Sequence, residues 1–445
     1  MIAATLPLSA VEVDSEAPDP GTVAATTATL GQDPDGRIPL IAKPAEIAGQ
    51  ERWRYIPAAR VKEGGFIERF GITTFAVPFV FSEEAIGTGV GIGLIDIDFM
   101  HHDRRDTAAL FASRTTLGQE QYALVWQHLL QSRRMPDGGI LQKETSFIDA
   151  SANYSNTLTE RFFGLGPDTT KQDETSYTDR ATWAEIGVQG EPTRLPDLIG
   201  QVHLRAEHHQ LAAGEVPGEP STTVAYPTLT SEADDITSLI VRTGVIWDTR
   251  DSSANPYRGY SLGVEADSYL DSGGPPAVIL TGTATFTQSI PSLFHDGGLH
   301  DLRTRGPEEN PPTDVIAVGG FWKRAYGDLP FYYLPSLGGA NSLRGYVANR
   351  FVDAVAWDVS AEWRTWILPR GFTIYDDIRV ERLGLAPFCD IGRVGHDAQQ
   401  ALAGPVEVNP GISLRMEFER AFVLRLDVAR SADQIGVNFE AGMSF

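Results

Sequence analysis

Cysteine is nearly missing from this chain: Cys389 is the only one in 445 residues. That excludes an intrachain disulfide framework and a cysteine-based metal cluster. Long apolar runs are missing as well. No stretch approaches the roughly 18 consecutive apolar residues that a membrane-spanning helix requires. Positive charge is scarce, with 36 Lys and Arg against 59 Asp and Glu and a net charge of −23. No basic stripe stands out from that background, so nucleic acid is not an expected partner. No Gly-x-Ser-x-Gly elbow, P-loop or clustered cysteine site is found, and the sequence carries no expectation of an enzyme or of a cofactor.

What the sequence does have is alternation. Residues 1–68, rich in Ala, Pro, Thr and acidic side chains towards their start, read as a flexible periplasmic leader. The apolar stretch from Met1 to Ala10 has no basic residue before it and acidic residues directly after it, which makes a poor secretory signal. The expectation is that the chain starts inside a longer precursor or lacks part of its signal. From residue 69 to 445 short runs of alternating hydrophobicity recur between clusters of Gly, Pro, Asp, Asn and Ser. Ile435, Val437, Phe439, Ala441, Met443 and Phe445 share one parity, opposite Gly436, Asn438, Glu440, Gly442 and Ser444. Leu424, Leu426 and Val428 oppose Arg425 and Asp427, and Val355, Trp357, Val359 and Ala361 oppose Asp358, Ser360 and Glu362. Successive strand side chains point to opposite faces, so each segment has one apolar and one polar face.

A soluble β-sandwich alternates in the same way. Two details favour a membrane barrel. The sequence ends on an aromatic, Phe445, and aromatics gather near expected strand ends, as at Phe321, Trp322 and Tyr326 or Trp363 and Trp366, in the manner of interfacial girdles. Phe439, Met443 and Phe445 then read as a C-terminal insertion signal. The expected fold is all-β: an antiparallel transmembrane β-barrel of about 16 strands, running from span 73–81 to span 434–445, in the outer membrane of a Gram-negative bacterium. Its sixth extracellular loop, between the eleventh and twelfth strands, runs from about 327 to 350.

That loop carries Leu337-Gly338-Gly339-Ala340-Asn341-Ser342-Leu343-Arg344-Gly345-Tyr346. It resembles the Gly-Gly…Arg-Gly-aromatic signature on the sixth loop of the BamA/TamA family of assembly and translocation barrels. In strand thirteen, Phe388-Cys389-Asp390-Ile391-Gly392 is similar to the family's Phe-x-Asp-x-Gly pattern, and Glu362 lies on the polar parity of strand twelve. The resemblance implies a loop folded into the barrel, with Arg344 meeting Glu362 and Asp390 on the inner wall. A buried guanidinium needs acceptors for its five donors, and carboxylates supply them in bidentate geometry. Asp248-Thr249-Arg250-Asp251 followed by Asn255-Pro256-Tyr257-Arg258-Gly259, and Asn409-Pro410-Gly411-Ile412-Ser413-Leu414-Arg415, also resemble family segments. The resemblance covers about 236–445.

Family members that assemble or secrete proteins carry POTRA domains before the barrel. The leader is too short and too disordered in composition to hold one, so a barrel-only relative is expected. The resemblance implies outer-membrane protein assembly, insertion or translocation through a weakly zipped seam between 73–81 and 434–445. Expected partners are outer-membrane lipid and lipopolysaccharide, with unfolded outer-membrane proteins or a separate periplasmic partner. A passive channel or surface-antigen barrel is the alternative, its lumen lined by Glu265, Asp267, Asp358, Glu362 and Arg425. His101-His102-Asp103 and Glu207-His208-His209 read as polar clusters rather than metal sites, and Asp234-Asp235 as loop charge.

Overall fold

A computed structural model describes residues 53–56, 58, 61 and 74–445, except the connections 84–86, 272–273, 294–313, 369–371, 376–377 and 419–421 and positions 102, 193, 254 and 381. Most of the expected leader lies outside the described residues. The first strands are β1 (Trp53–Ile56), β2 (Thr74–Glu83), β3 (Gly87–Asp96), β4 (Asp106–Thr115), β5 (Glu120–Arg134), β6 (Ile140–Phe162) and β7 (Thr175–Gly190). They are followed by β8 (Leu198–Ala213), β9 (Ile236–Asp248), β10 (Gly259–Asp271), β11 (Ala277–Ile290), β12 (Asp314–Tyr326), β13 (Ser336–Leu337) and β14 (Phe351–Val352). The last are β15 (Val355–Leu368), β16 (Phe372–Tyr375), β17 (Ile378–Val380), β18 (Arg382–Gly395), β19 (Glu407–Phe418), β20 (Phe422–Arg430) and β21 (Ile435–Ala441).

From β2 to β12 every strand pairs antiparallel with the next in sequence. The ladder continues β12–β15–β18–β19–β20–β21. This is the expected all-β meander: among the described residues sixteen strands follow one another in the sheet, and β1 joins it as a seventeenth. The short β13–β14 ladder lies within the β12–β15 connection, and β16–β17 within the β15–β18 connection. The two ends of the sheet, β2 and β21, lie beside each other. Among the described residues no hydrogen-bonded register joins them.

The sheet is apolar on its outside and polar within. Val90, Ile92 and Leu94, Ile186 and Val188, Val202 and Leu204, Leu262 and Val264, Ile412 and Leu414, and Ile435 and Val437 are all exposed. Arg344, Asp358, Glu362, Arg364, Asp390, Arg415, Arg425 and Asp427 are buried. A sandwich buries its apolar faces against each other, so this inversion excludes that alternative. So wide an apolar surface is stable against lipid and not against water. No described helix is long and apolar enough to cross a membrane.

Strand length divides the sheet. β6 has 23 residues and β7 and β8 have 16 each, against about 9–11 needed to cross a bilayer when tilted. β21 has only 7, a rise of about 23 Å at ~3.3 Å per residue even if untilted, against a hydrocarbon core of about 30 Å. The wall is therefore shortest where β21 meets β2.

Three expectations differ from what is found. Trp53–Ile56, inside the span read as flexible leader, forms β1 and pairs with Ile140–Lys143 at the start of β6. Tyr55 fits into the space left by Gly139, where a Cβ would come within 2.6 Å of its ring, and packs with Met135 and Leu141. The aromatic girdle is only partly as expected: Phe321 packs inward against the β12–β15 loop, and Trp366 is buried with Tyr257 and Val315. The apolar parity of 435–445 also does not run to the end. Gly442 adopts φ +104, a conformation a non-glycine residue rarely takes, and β21 stops at Ala441. The reversal turns Met443 and Phe445 into the lumen.

Candidate functional site

The β12–β15 connection, residues 327–354, is built to bend back on itself. Gly338 and Gly339 have φ +114 and +91, and a Cβ on Gly338 would meet the Val347 carbonyl oxygen at 2.2 Å. This folds the Leu337–Tyr346 segment into a compact tip. Leu337, Leu343 and Tyr346 bury themselves with Phe351, Ala356 and Val394. Gly345 carries no Cβ for a second reason, since one would lie 2.8 Å from the Arg430 carbonyl carbon at the end of β20.

Packed this way, the tip presents Arg344 to the polar wall. Its side chain is 1% exposed. Nε and Nη2 donate to the two Asp390 carboxylate oxygens at 2.9 and 2.7 Å, a bidentate fork. Nη1 donates to Glu362 Oε1 at 2.9 Å, and Nη2 also donates to Ser360 Oγ at 2.9 Å. The Arg344 backbone N–H donates to Asp390 Oδ2 at 3.0 Å. The guanidinium lies over the Phe388 ring, 3.3 Å from its centroid. Burial by itself opposes the Arg344 charge, but the Asp390 hydrogen bonds and the Glu362, Asp390 and Asp427 charges outweigh it and hold the group more firmly protonated.

The sequence-predicted set Arg344, Gly345, Tyr346, Glu362, Phe388, Asp390 and Gly392 thus meets at one place. The Gly345 N–H donates to Asn409 Oδ1 at 3.0 Å, and the Tyr346 hydroxyl donates to Glu407. A Cβ on Gly392 would press on Leu337 and Asp358. The C-terminal set, by contrast, is divided. Phe439 shares the parity of the outward Ile435 and Val437, whereas Met443 Sδ accepts from Arg415 Nη1 at 3.6 Å and the Phe445 ring lies under Arg364 at 5.4 Å.

The sequence did not place several further members in this cluster. Glu362 accepts from Arg364 at 3.0 Å and Arg415 at 2.7 Å as well as from Arg344. Asp427 lies 3.5 Å from Arg344 and pairs with Arg425, whose Nη2 donates to the Ala340 carbonyl and Asn341 Oδ1 at 2.8 Å. Asn438 Nδ2 on β21 donates to the Arg344 carbonyl at 3.0 Å. Four guanidinium groups (Arg344, Arg364, Arg415, Arg425) face four carboxylates (Asp358, Glu362, Asp390, Asp427). The polar parity of β19 and β20 was a usable signal for Arg415 and Asp427, but nothing in sequence spacing names their partners. Arg350 was also missed. It donates to Asp433 Oδ2 at 2.5 Å and to Thr169 at 3.0 Å, and stacks at 4.4 Å on both Phe163 and Phe351. The segment Phe162–Gly166 receives this end of the loop through Gly166 N–H to Val352 O at 2.9 Å.

The other resembling segments have local roles. Arg250 is held by Asp248, and Asp251 accepts from the Tyr257 and Arg258 N–H groups. Gly259, at φ +108, clears the Thr249 carbonyl, and the Tyr257 hydroxyl accepts from Arg382 at the start of β18. His102 lies outside the described residues, and its neighbour Asp103 pairs with Arg134. His209 is held between Asp179 and Glu207, each at 2.9 Å. Asp234 accepts from the Leu211 N–H. Among the described residues, one group offers three donor atoms suited to a metal ion: Asp149, Glu185 and His203.

An antiparallel sheet that is apolar outside and polar inside, with an arginine-bearing loop against its polar face, defines a sheet of the transmembrane β-barrel class. In fold the chain is similar to BamA from Haemophilus ducreyi, solved by crystallography lacking POTRA domains 1-3. The two are 15% identical with a TM-score of 0.51, over 83% of this chain and 70% of that one. CdiB from Acinetobacter baumannii aligns at 12% identity and a TM-score of 0.49 over 83% of this chain, which spans 59% of that structure. No family model and no curated protein matches the sequence. The BamA likeness is one of fold, and it is the fold that the Arg344 loop motif led us to expect.

Proposed function

We propose that this chain is an outer-membrane barrel of the BamA/TamA type, acting in the assembly, insertion or translocation of other outer-membrane proteins. One observation carries the reading: β2 and β21 lie side by side without a hydrogen-bonded register among the described residues, at the shortest part of the wall. In lipid, unpaired strand N–H and C=O groups strongly favour pairing, so a seam of this kind templates an incoming strand. The Arg344–Glu362–Asp390 cluster performs no reaction in this reading. It holds the loop and the barrel shape. The partners are outer-membrane lipid with lipopolysaccharide, and unfolded barrel proteins delivered directly or by a separate periplasmic protein.

The test is reconstitution. Purified protein in liposomes speeds the folding of a second, urea-denatured barrel. Cysteine pairs scanned between Thr74–Glu83 and Ile435–Ala441, on a Cys389→Ser background, abolish the acceleration when oxidised and restore it when reduced. Steady ion conductance without any acceleration would overturn the proposal in favour of a passive channel.

A further inference from the structure

We propose a divalent transition-metal site in the lumen, formed by Asp149 on β6, Glu185 on β7 and His203 on β8. It lies on the long-stranded wall, separate from the Arg344 cluster.

The register builds the site. Asp149, Gly187 and His203 form one cross-strand row, with glycine in the middle position. A Cβ on Gly187 would lie 2.0 Å from His203 Nδ1, so the imidazole occupies the space a side chain there would fill. It thereby reaches across β7 towards Asp149, two strands away. Glu185 sits two residues along β7 on the same face, beside the imidazole. His203 Nδ1 is 3.8 Å from Asp149 Oδ2 and 3.6 Å from Glu185 Oε1, and the three donor atoms lie within 4.8 Å of one another.

These separations are too long for hydrogen bonds and near those of ligands around one ion. Zinc bonds of about 2.0–2.1 Å in a tetrahedron place ligand atoms roughly 3.3–3.4 Å apart, so closure needs side-chain shifts of a few tenths of an ångström to about one. His203 Nδ1 and Asp149 Oδ1 are buried atoms with no hydrogen-bond partner.

Neither neighbouring guanidinium donates to His203 Nδ1, Glu185 Oε1 or Asp149. Arg205 Nε donates to the other Glu185 oxygen at 2.8 Å and stacks on Trp183 at 4.3 Å, which turns Glu185 Oε1 towards the imidazole. Arg242, the cross-strand partner of His203, forks onto Asp267 at 2.7 and 3.2 Å. One imidazole nitrogen and two carboxylates suit zinc and its first-row neighbours, whereas magnesium and calcium prefer an all-oxygen set. Lumen water supplies the remaining positions.

The test uses tag-free full-length protein in detergent, stripped with a chelator and titrated calorimetrically with Zn²⁺, and separately with Co²⁺ followed by its visible absorption. One equivalent is expected to bind. His203→Ala and Glu185→Gln should each weaken binding by at least about tenfold, while His208→Ala leaves it unchanged. Gly187→Ala keeps all three donors but fills the gap, and should lose the site as well. Folding of each variant is checked by heat-modifiable mobility on gels, and Glu185→Gln decides the matter if His203→Ala does not fold. No stoichiometric binding by the unmodified protein, or undiminished binding in folded His203→Ala, Glu185→Gln or Gly187→Ala protein, overturns the proposal.

Discussion

Replacing Arg344 by alanine removes four side-chain hydrogen bonds, two to Asp390 and one each to Glu362 and Ser360. The loss is not shared equally between the carboxylates. Glu362 still accepts from Arg364, Arg415 and Ser444. Asp390 keeps only the Ser360 hydroxyl and the residue-344 N–H of its hydrogen bonds in the cluster. The cost therefore concentrates on one buried carboxylate, and removing one partner of a buried ion pair costs about 3–5 kcal/mol. That lowers the folding equilibrium by roughly two to four powers of ten at about 1.4 kcal/mol per decade. The asymmetry makes the reasoning testable through second substitutions of opposite sign. Adding Asp390→Asn removes the orphaned charge and should recover about 1–3 kcal/mol. Adding Glu362→Gln strips Arg364 and Arg415 of their shared counter-ion and should lower stability further. Urea unfolding in detergent, followed by tryptophan fluorescence with m-values compared, gives all four stabilities. A cost below about 0.5 kcal/mol for Arg344→Ala, as for a solvated loop arginine, would refute the account. So would rescue by Glu362→Gln in place of Asp390→Asn.

Other expectations follow from local fits. Gly139→Leu fills the space that Tyr55 occupies and should release β1 from β6; faster tryptic cleavage at Arg54 in an otherwise folded barrel is the expected outcome. Tyr55 donates to Asp137, and that bond, then burial and the Asp137 charge, push its pKa from 10.0 up to about 12. Because the folded value is raised, the contribution is complete below pH 10 and lost as pH rises through about 12. Trp53 fluorescence should report release of β1 across that window, and Tyr55→Phe should abolish the dependence. Gly319→Leu would collide with the Phe445 ring, which a Cβ there already meets at 2.2 Å. Ser444→Cys, on a Cys389→Ser background, should then be alkylated several-fold faster than with Gly319 retained.

The meander was legible because lipid outside and polar groups inside force alternation along each spanning strand. Phe388, Asp390 and Gly392 share a parity, and so do Asp358, Ser360 and Glu362, which placed both acidic partners of Arg344 on the inner face. The upper part of β6 was illegible for the opposite reason. Beyond the bilayer both faces of a strand meet water or protein, and Asn156, Thr157, Thr159 and Glu160 carry no period that marks them as strand. The inward turn at Gly442 was hidden by the unbroken parity of Met443 and Phe445, which nothing but the backbone reversal contradicts. Glu362 as a hub for Arg344, Arg364 and Arg415, and His203 lying over Gly187, depend on the register between strands. Alternation within one strand does not contain that register.

The β12–β15 loop is fastened at both ends, but by different physics. Its tip bonds to β15 through Glu362 and Ser360, to β18 through Asp390, to β19 through Asn409, to β20 through Arg425 and to β21 through Asn438. These five strands end at the seam, and the bonds are directional and largely charged. The base of the loop meets the opposite wall chiefly through aromatic contacts, with a few hydrogen bonds beside them from Tyr332 to the Ala233 carbonyl and from Arg350 to Thr169. Phe331 stacks on Phe162 and Tyr177 at 4.8 and 5.2 Å, and Tyr332 lies on His209 at 4.5 Å. Apolar contacts tolerate sliding, whereas a buried ionic lattice has one geometry. If the seam works by parting, the loop should travel with β15–β21 and yield at Phe331. Phe331→Ala should therefore lower disulfide cross-linking between β2 and β21 while leaving the heat-resistant band intact. Arg344→Ala should weaken the band itself. Unchanged seam cross-linking in Phe331→Ala would mean that the loop does not strut the two walls apart from the Arg344 anchorage.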